Sequence, residues 1–162
     1  MGVQIAAAKG ADVTVISRTS RKAEEAKELG ASRTLATTEE EDFFKNHRGE
    51  FDLILSTISA EYDLEAYLGM LKPRGIMSVV GLPPEALPLR LRSIVGGGKV
   101  LTGNNIGGIA ETQEMLDFCA EHNLGAVIEK VGVDEVDDAY ERVVAGDVKF
   151  RFVIDTATFA DH

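Results

Sequence analysis

The sequence predicts an α/β fold built on a doubly wound, mostly parallel sheet, and three observations carry that expectation. Short β-branched runs alternate with amphipathic stretches from one end to the other. Glycines fall where strands hand over to helices or where helices stop. The segment from Phe51 to Gly81 reads as one complete strand–helix–strand unit. At 162 residues the chain has the length of one ordinary domain with a real core.

Taken in order, Gly2 to Lys9 reads as a helix closed by Gly10. No strand or glycine-rich turn stands before it, as the first unit of a nucleotide-binding sheet would require. Asp12 to Ser17 is a buried strand, followed by a helix from Ser20 to Leu29 that stops at Gly30, a residue suited to a left-handed cap. The acidic run Glu39-Glu40-Glu41-Asp42 is expected as the solvated first turn of a helix, where negative charge is favourable. Next come the strand Phe51 to Thr57, a helix near Asp63 to Leu71, the turn Lys72-Pro73-Arg74-Gly75, and the strand Ile76 to Val80 ending at Gly81. Further strands are expected at Val100 to Gly103, Val127 to Val131 and Phe152 to Ile154, with helices over Glu111 to Glu121 and Asp134 to Ala145.

A formal net charge of -10 repels phosphate backbones and anionic headgroups, which argues against nucleic-acid and membrane partners. The single cysteine, Cys119, permits neither an intrachain disulfide nor a four-cysteine zinc site and fits a reducing cytoplasm. Met1 to Ala6 carries no basic segment followed by a long apolar one, so neither export nor anchoring is expected.

Ser17-Arg18-Thr19-Ser20-Arg21-Lys22 sits where a strand passes into its helix, the position that faces the adenosine ribose in dinucleotide-binding sheets. Enzymes that take NAD place Asp or Glu there for the 2′-hydroxyl. Here the residue is Ser17, followed by three cations within five positions, with no adjacent carboxylate to repel a 2′-phosphate. NADP is therefore expected over NAD. Cations at a helix start also oppose the macrodipole unless an anion lies between them. The same residues read equally as a plain helix start, with Thr19 or Ser20 as N-cap and solvated basic side chains beside it.

Ser56-Thr57-Ile58 and Val80-Gly81-Leu82 lie at the carboxyl ends of expected parallel strands, where ligands of open α/β sheets bind. Each also reads as an ordinary strand-to-loop turn. Gly96-Gly97-Gly98 and Gly103 to Gly108 lack the spacing of a phosphate-cradling loop. Cys119 and His122 have a C-x-x-H spacing, but zinc needs three or four ligands and neither His47 nor His162 has a plausible partner. No catalytic residue and no metal ligand is expected in this chain.

Several segments together resemble the cofactor domain of zinc-dependent medium-chain alcohol dehydrogenases, and within them the cinnamyl-alcohol-dehydrogenase-like group. They are Gly2 to Ala6 with Lys9-Gly10-Ala11, the Ser17 to Lys22 stretch, Ala26 to Ala31, and Leu71 to Gly75 followed by Val80-Gly81-Leu82. The group signals are Ile106-Gly107-Gly108 with Glu111 to Cys119, then Ala139 to Arg142, and Gly146 to Val148 running on to Arg151 through Asp155.

The resemblance implies a Rossmann-like fold lacking its first strand and glycine-rich turn. It implies an NADP-binding portion over residues 1–123, and a segment over 124–162 that in relatives packs in the catalytic domain. It gives Ser17, Arg18, Thr19 and Lys22 to the 2′-phosphate and Ser56, Thr57 and Ile58 to the adenosine and ribose. Val80, Gly81, Leu82, Gly103, Asn104 and Asn105 fall on the nicotinamide side, and Arg151 near the cofactor phosphates. Full-length relatives interconvert primary alcohols and aldehydes by hydride transfer, with zinc held in the domain that this stretch does not include.

With strand order 3-2-1-4-5-6, loss of the first strand opens a gap between the strands at Val13 and Leu53, so the sheet must close up, rearrange or borrow a strand. The strands at Val127 and Phe152 are expected as orphans, open to pairing with another molecule. A homodimer joined through the strand Val100 to Gly103 is implied, and the chain by itself is expected to be inactive. The rival readings are a non-catalytic nucleotide-binding or dimerisation module, and a zinc-free quinone reductase relative, which the Glu111 to Cys119 segment fits less well.

Overall fold

The computed structural model describes residues 1–161, so His162 lies outside the described residues. The chain divides into two compact units, Gly2–Phe118 and the part from Cys119 onward.

In the first unit, the short helix α1 (Gly2–Ala8) leads to strand β1 (Thr14–Ser17). A 3-10 turn at Ser20–Lys22 then opens helix α2 (Ala23–Glu28), and Gly30, at φ 103°, turns the chain out of it. Strand β2 (Arg33–Ala36), which sequence patterning missed, pairs parallel to β1 with Thr14 opposite Arg33 and Ser17 opposite Ala36.

Helix α3 (Phe43–Asn46) precedes β3 (Phe51–Ser56). Helix α4 (Leu64–Met70) is capped by Asp63, whose carboxylate accepts from the Ala66 N–H at 3.0 Å. Strand β4 (Leu71–Val79) absorbs the expected Lys72–Gly75 turn as a bulge. Phe51 faces Leu71 while Leu53 faces Ile76, and Arg74 takes a left-handed φ of 64° in the slack. Helix α5 (Arg92–Val95), strand β5 (Val100–Gly103) and helix α6 (Ile109–Glu121) follow, the last three residues of α6 belonging to the C-terminal unit.

The parallel strands of this unit form two separate sheets, β1-β2 and β3-β4-β5. The division falls between β1 and β3, where a gap in the pairing was expected. The sheet has not closed up over it.

Leu64, Leu68 and Met70 of α4 pack with Ile54, Leu71 and Met77 of the three-stranded sheet and with Phe43 of α3. Ile16 of β1 and Leu35 of β2 lie against the same cluster. An edge-to-face aromatic chain, Phe43, Phe44, Tyr67 and Tyr62, joins α3 to α4. On the opposite face of β3, Leu53 and Leu55 stay 60% and 51% exposed, with Gly2 of α1 near the Leu55 side chain. Burial on one face and exposure on the other follow the period-2 alternation of a strand.

Where backbone pairing is absent, side chains link the two sheets. Arg33 of β2 forms an ion pair with Glu50, just before β3, and its guanidinium lies 5.9 Å from the Phe51 ring centre. Glu50 also meets His47 Nδ1 at 2.5 Å, His47 Nε2 meets Glu40 at 3.0 Å, and the imidazole lies on Phe43. Burial works against the charged imidazole, but hydrogen bonds and charges from Glu40 and Glu50 outweigh it, so the His47 pKa is raised.

A group with a raised folded pKa contributes its stability in full below the ordinary value of about 6.5, and loses it as pH climbs through the folded value. Urea unfolding midpoints of the unmodified chain and of His47→Gln should therefore converge as pH rises from about 6 to about 8. A gap that stays constant with pH would remove His47 from this link.

In the C-terminal unit, β6 (Glu129–Val131), a 3-10 turn at Val133–Glu135, α7 (Val136–Val144) and β7 (Phe152–Ile154) make a second strand–helix–strand unit. The two strands are not orphans, because they pair parallel with each other, Glu129 opposite Phe152 and Val131 opposite Ile154. The helix between them supplies the crossover length that parallel pairing requires. Arg142 fastens the unit, bonding Glu129 at 2.8 Å and Asp147 at 3.2 Å while lying over Phe152. Among the described residues no helix is long and apolar enough to cross a membrane.

Candidate functional site

Register fixes which residues meet at the carboxyl end of the larger sheet. Ser56 stands opposite Val79, and Val79 opposite Gly103, so the loops leaving β3, β4 and β5 start from one line. The Ser56 carbonyl accepts from Val80 at 2.9 Å and Gly81 at 3.2 Å, and the Val79 carbonyl accepts from Asn104 at 3.2 Å. A Cβ on Gly81 would lie 2.3 Å from the Ile58 oxygen, so these two loops touch backbone to backbone only because position 81 has no side chain.

Ser56, Thr57 and Ile58 are thereby brought together with Val80, Gly81 and Leu82 and with Gly103, Asn104 and Asn105. Ser56 is buried and its hydroxyl donates to Tyr62 at 3.3 Å, whereas Leu82 is 73% exposed and Gly103 to Asn105 face solvent. The result is an open ledge of backbone amides and small side chains with one buried hydroxyl at its base.

Ser17 ends β1 at the carboxyl end of the smaller sheet, and Arg18 and Thr19 follow in an exposed loop. Its path is held from β2, since Thr38 donates both its backbone N–H, at 3.2 Å, and its hydroxyl, at 2.6 Å, to the Arg18 carbonyl. Thr19 is the N-cap of the 3-10 turn in an extended conformation, but its side chain makes no capping bond. Glu39 takes the cap instead, accepting from the Ser20 N–H at 2.9 Å, and that bond with the Ser20 hydroxyl lowers its pKa.

Two expectations are corrected here. The acidic run is not a solvated first helical turn, because Glu39 is spent on Ser20 and Glu40 on His47 and Asn46 before α3 begins. A carboxylate is also present beside the Ser17–Lys22 stretch, arriving from the end of β2 and not from the position after β1. Short-range patterning could not find it, since the bond spans 19 residues.

Arg151 lies in the C-terminal unit immediately before β7, exposed, with its carbonyl accepting from Glu129 at 3.0 Å. Cys119 is buried, and among the described residues no group of three or more His, Cys, Asp or Glu is placed to hold a metal ion.

Residues 1–121 match the family described as zinc-binding dehydrogenase. Over 158 residues, 98% of the chain, the sequence is 50% identical to the NADP-dependent alcohol dehydrogenase C 1 of Mycolicibacterium smegmatis, of which it covers 45%. The structure is similar to that of the cinnamyl alcohol dehydrogenase of Sorghum bicolor, with a TM-score of 0.89 and 42% identity over 97% of this chain and 44% of that one. It is also similar to the CAD from Helicobacter pylori complexed with NADP(H), with a TM-score of 0.84 and 37% identity over 97% of this chain and 44% of that one. The chain thus spans about half the length of the relatives it matches.

Proposed function

The chain belongs to the zinc-binding dehydrogenase family, and on that premise we propose that residues 1–123 form the NADP-binding part of an alcohol dehydrogenase. The observation that carries the proposal is the joint placement of three strand-end loops on one ledge, with the basic Ser17–Lys22 turn at the carboxyl end of the companion sheet. Ser17, Arg18, Thr19 and Lys22 hold the 2′-phosphate. Ser56, Thr57 and Ile58 line the adenosine and ribose, and Val80, Gly81, Leu82, Gly103, Asn104 and Asn105 the nicotinamide side. When bound, the cofactor supplies the hydride for interconverting a primary alcohol and an aldehyde. The chain's own residues bind and orient it.

Fit to the two groups that the family implies differs sharply. Arg18 is exposed and without a carboxylate partner among the described residues, and the residues from Gly103 to Asn105 face solvent beside the close-packed Gly81 loop, which suits a dinucleotide. Among the described residues no group of three or more His, Cys, Asp or Glu is placed to hold zinc. No step of this proposal runs through it, and the family's zinc chemistry belongs to parts of the relatives that this chain does not cover.

Calorimetric titration with NADPH and NADH tests the reading. NADPH should bind at least about tenfold more tightly, the scale of one charge-assisted hydrogen bond. A folded chain with affinity for neither nucleotide would replace the reading with that of a non-catalytic module. Glu39 supplies a sharper arm: its carboxylate occupies the Ser20 N–H and repels a phosphate at the same helix start, so Glu39→Gln should tighten NADPH several-fold and leave NADH unchanged. Weaker NADPH binding in that variant would mean that Glu39 organises the turn for the cofactor.

β5 is one of the two outer strands of its sheet, and Val100 to Gly103 offers an edge without a strand partner among the described residues, which supports a homodimer joined there. Residues 124–162 form the segment that packs in the catalytic part of the whole enzyme, in keeping with Tyr140 and Val144 of α7, 72% and 76% exposed. A cytoplasmic setting fits the single buried thiol.

A further inference from the structure

A second concavity of 710 Å³ opens at the amino ends of β3, β4 and β5, the end of the sheet opposite Ser56, Val79 and Gly103. Its wall carries the cations Arg48, Arg90, Arg92 and Lys99 against two carboxylates, Asp63 and Glu65. Both carboxylates are already committed. Asp63 caps α4, and Glu65 is bound by the Arg90 guanidinium, the Arg90 N–H and the Ser93 hydroxyl, which hold its pKa down at about 2.

Arg48, Arg92 and Lys99 have no carboxylate partner among the described residues, in a chain with 27 acidic and 17 basic side chains. Elsewhere Lys27, Arg33, Lys45, Lys72 and Arg142 each found one. Lys99 is half-buried and donates to the Leu68 carbonyl, and burial, then the like charge of Arg48, push its ammonium below the ordinary value. Two positive groups therefore repel each other across one cleft whose two carboxylates are bonded elsewhere, an arrangement that a bound anion would relieve.

The glycine triplet after α5 acquires a role from the same geometry. A Cβ on Gly97 would lie 3.1 Å from Lys99 Cε and 3.4 Å from its Cγ, so a side chain there would press on the lysine stem and shift it by a few tenths of an ångström. Gly49, Gly69 and Gly96 keep the remaining wall low.

We propose that this cleft binds the phosphate group of a small soluble molecule through Arg48, Arg92 and Lys99, at a site separate from the cofactor ledge. A doubly charged oxyanion with several acceptor oxygens matches two guanidinium forks and an ammonium better than a single carboxylate does. The proposal does not depend on the NADP reading, because every residue it uses lies at the other end of the strands.

The test is titration of the chain with inorganic phosphate at constant ionic strength, followed by backbone amide resonances. Saturable shifts are expected at Gly49, Gly69, Gly96 and Gly97. The Arg48→Gln, Lys99→Gln double variant should weaken phosphate at least tenfold at these resonances, while Lys27→Gln, at a surface lysine already paired with Glu24, leaves it unchanged. If the first pair of changes unfolds the chain, Arg92→Gln alone should still weaken binding several-fold. Shifts confined to Ser17 through Lys22, shifts that never saturate, or affinity indifferent to Arg48, Arg92 and Lys99 would each overturn the proposal.

Discussion

Arg18→Ala with Lys22→Ala is expected to lower NADPH affinity at least about a hundredfold while NADH affinity changes by less than about threefold. The 2′-phosphate carries nearly two negative charges at neutral pH, and each charge-assisted bond to it is worth about 1.5–3 kcal/mol. Removing two donors therefore costs NADPH alone, since NADH presents only a hydroxyl there. Arg18 is exposed in a loop whose backbone is fixed by Thr38, so trimming its side chain leaves the turn in place. Unfolding curves that coincide with those of the unmodified chain would confirm that the loss is one of binding. Equal losses for both nucleotides would assign these cations to the shared pyrophosphate instead.

Gly81→Ala should act on fold and site together. The added methyl would meet the Ile58 oxygen at 2.3 Å, the Ile58 carbonyl carbon at 2.6 Å and the Thr57 carbonyl carbon at 2.7 Å, all of them backbone atoms that cannot swing aside. Relief requires the loop after β3 to part from the loop after β4, at the cost usual for overpacking, about 1–3 kcal/mol. For a chain of this size that lowers Tm by about 3–10 °C. The parting also spreads the ledge, so binding of NADPH and NADH should weaken alike, by tenfold or more. This contrasts with the selective loss expected at Arg18 and Lys22. A Gly81→Ala protein with unchanged Tm and unchanged affinity would mean that the two loops are looser than drawn.

Local pattern was enough for the elements whose identity rests on local chemistry. Phe152 to Ile154 and Val100 to Gly103 stand as read, and Gly30 ends its helix with the positive φ expected of it. The split between β1 and β3 was also legible, because the strand order of a doubly wound sheet does not make these two strands neighbours. β2 was not. Arg33-Thr34-Leu35-Ala36 is four residues long with little alternation, and it becomes a strand only because β1 offers it a partner. The Lys72–Gly75 segment carries strong turn residues, yet its flanks pair with β3, so tertiary register turned a loop into a bulge.

The candidate site divides along the same line. Residues at strand ends, such as Ser56 and Gly81, could be named from position alone. Glu39 on the Ser20 N–H, Glu50 on Arg33, and Arg48 near Lys99 are meetings of groups far apart in sequence, and no short motif announces them.

The 2′-phosphate assignment at the Ser17–Lys22 turn is the claim on which the cofactor reading stands, and amide resonance maps of the chain saturated with NADPH and then with NADH test it most directly. The difference between the two maps should concentrate on Ser17 through Lys22 and on Thr38 and Glu39 across from them, with Ser56 to Ile58 and Val80 to Leu82 shifted alike by both nucleotides. Differences centred elsewhere on the ledge, or two maps that superimpose, would contradict it.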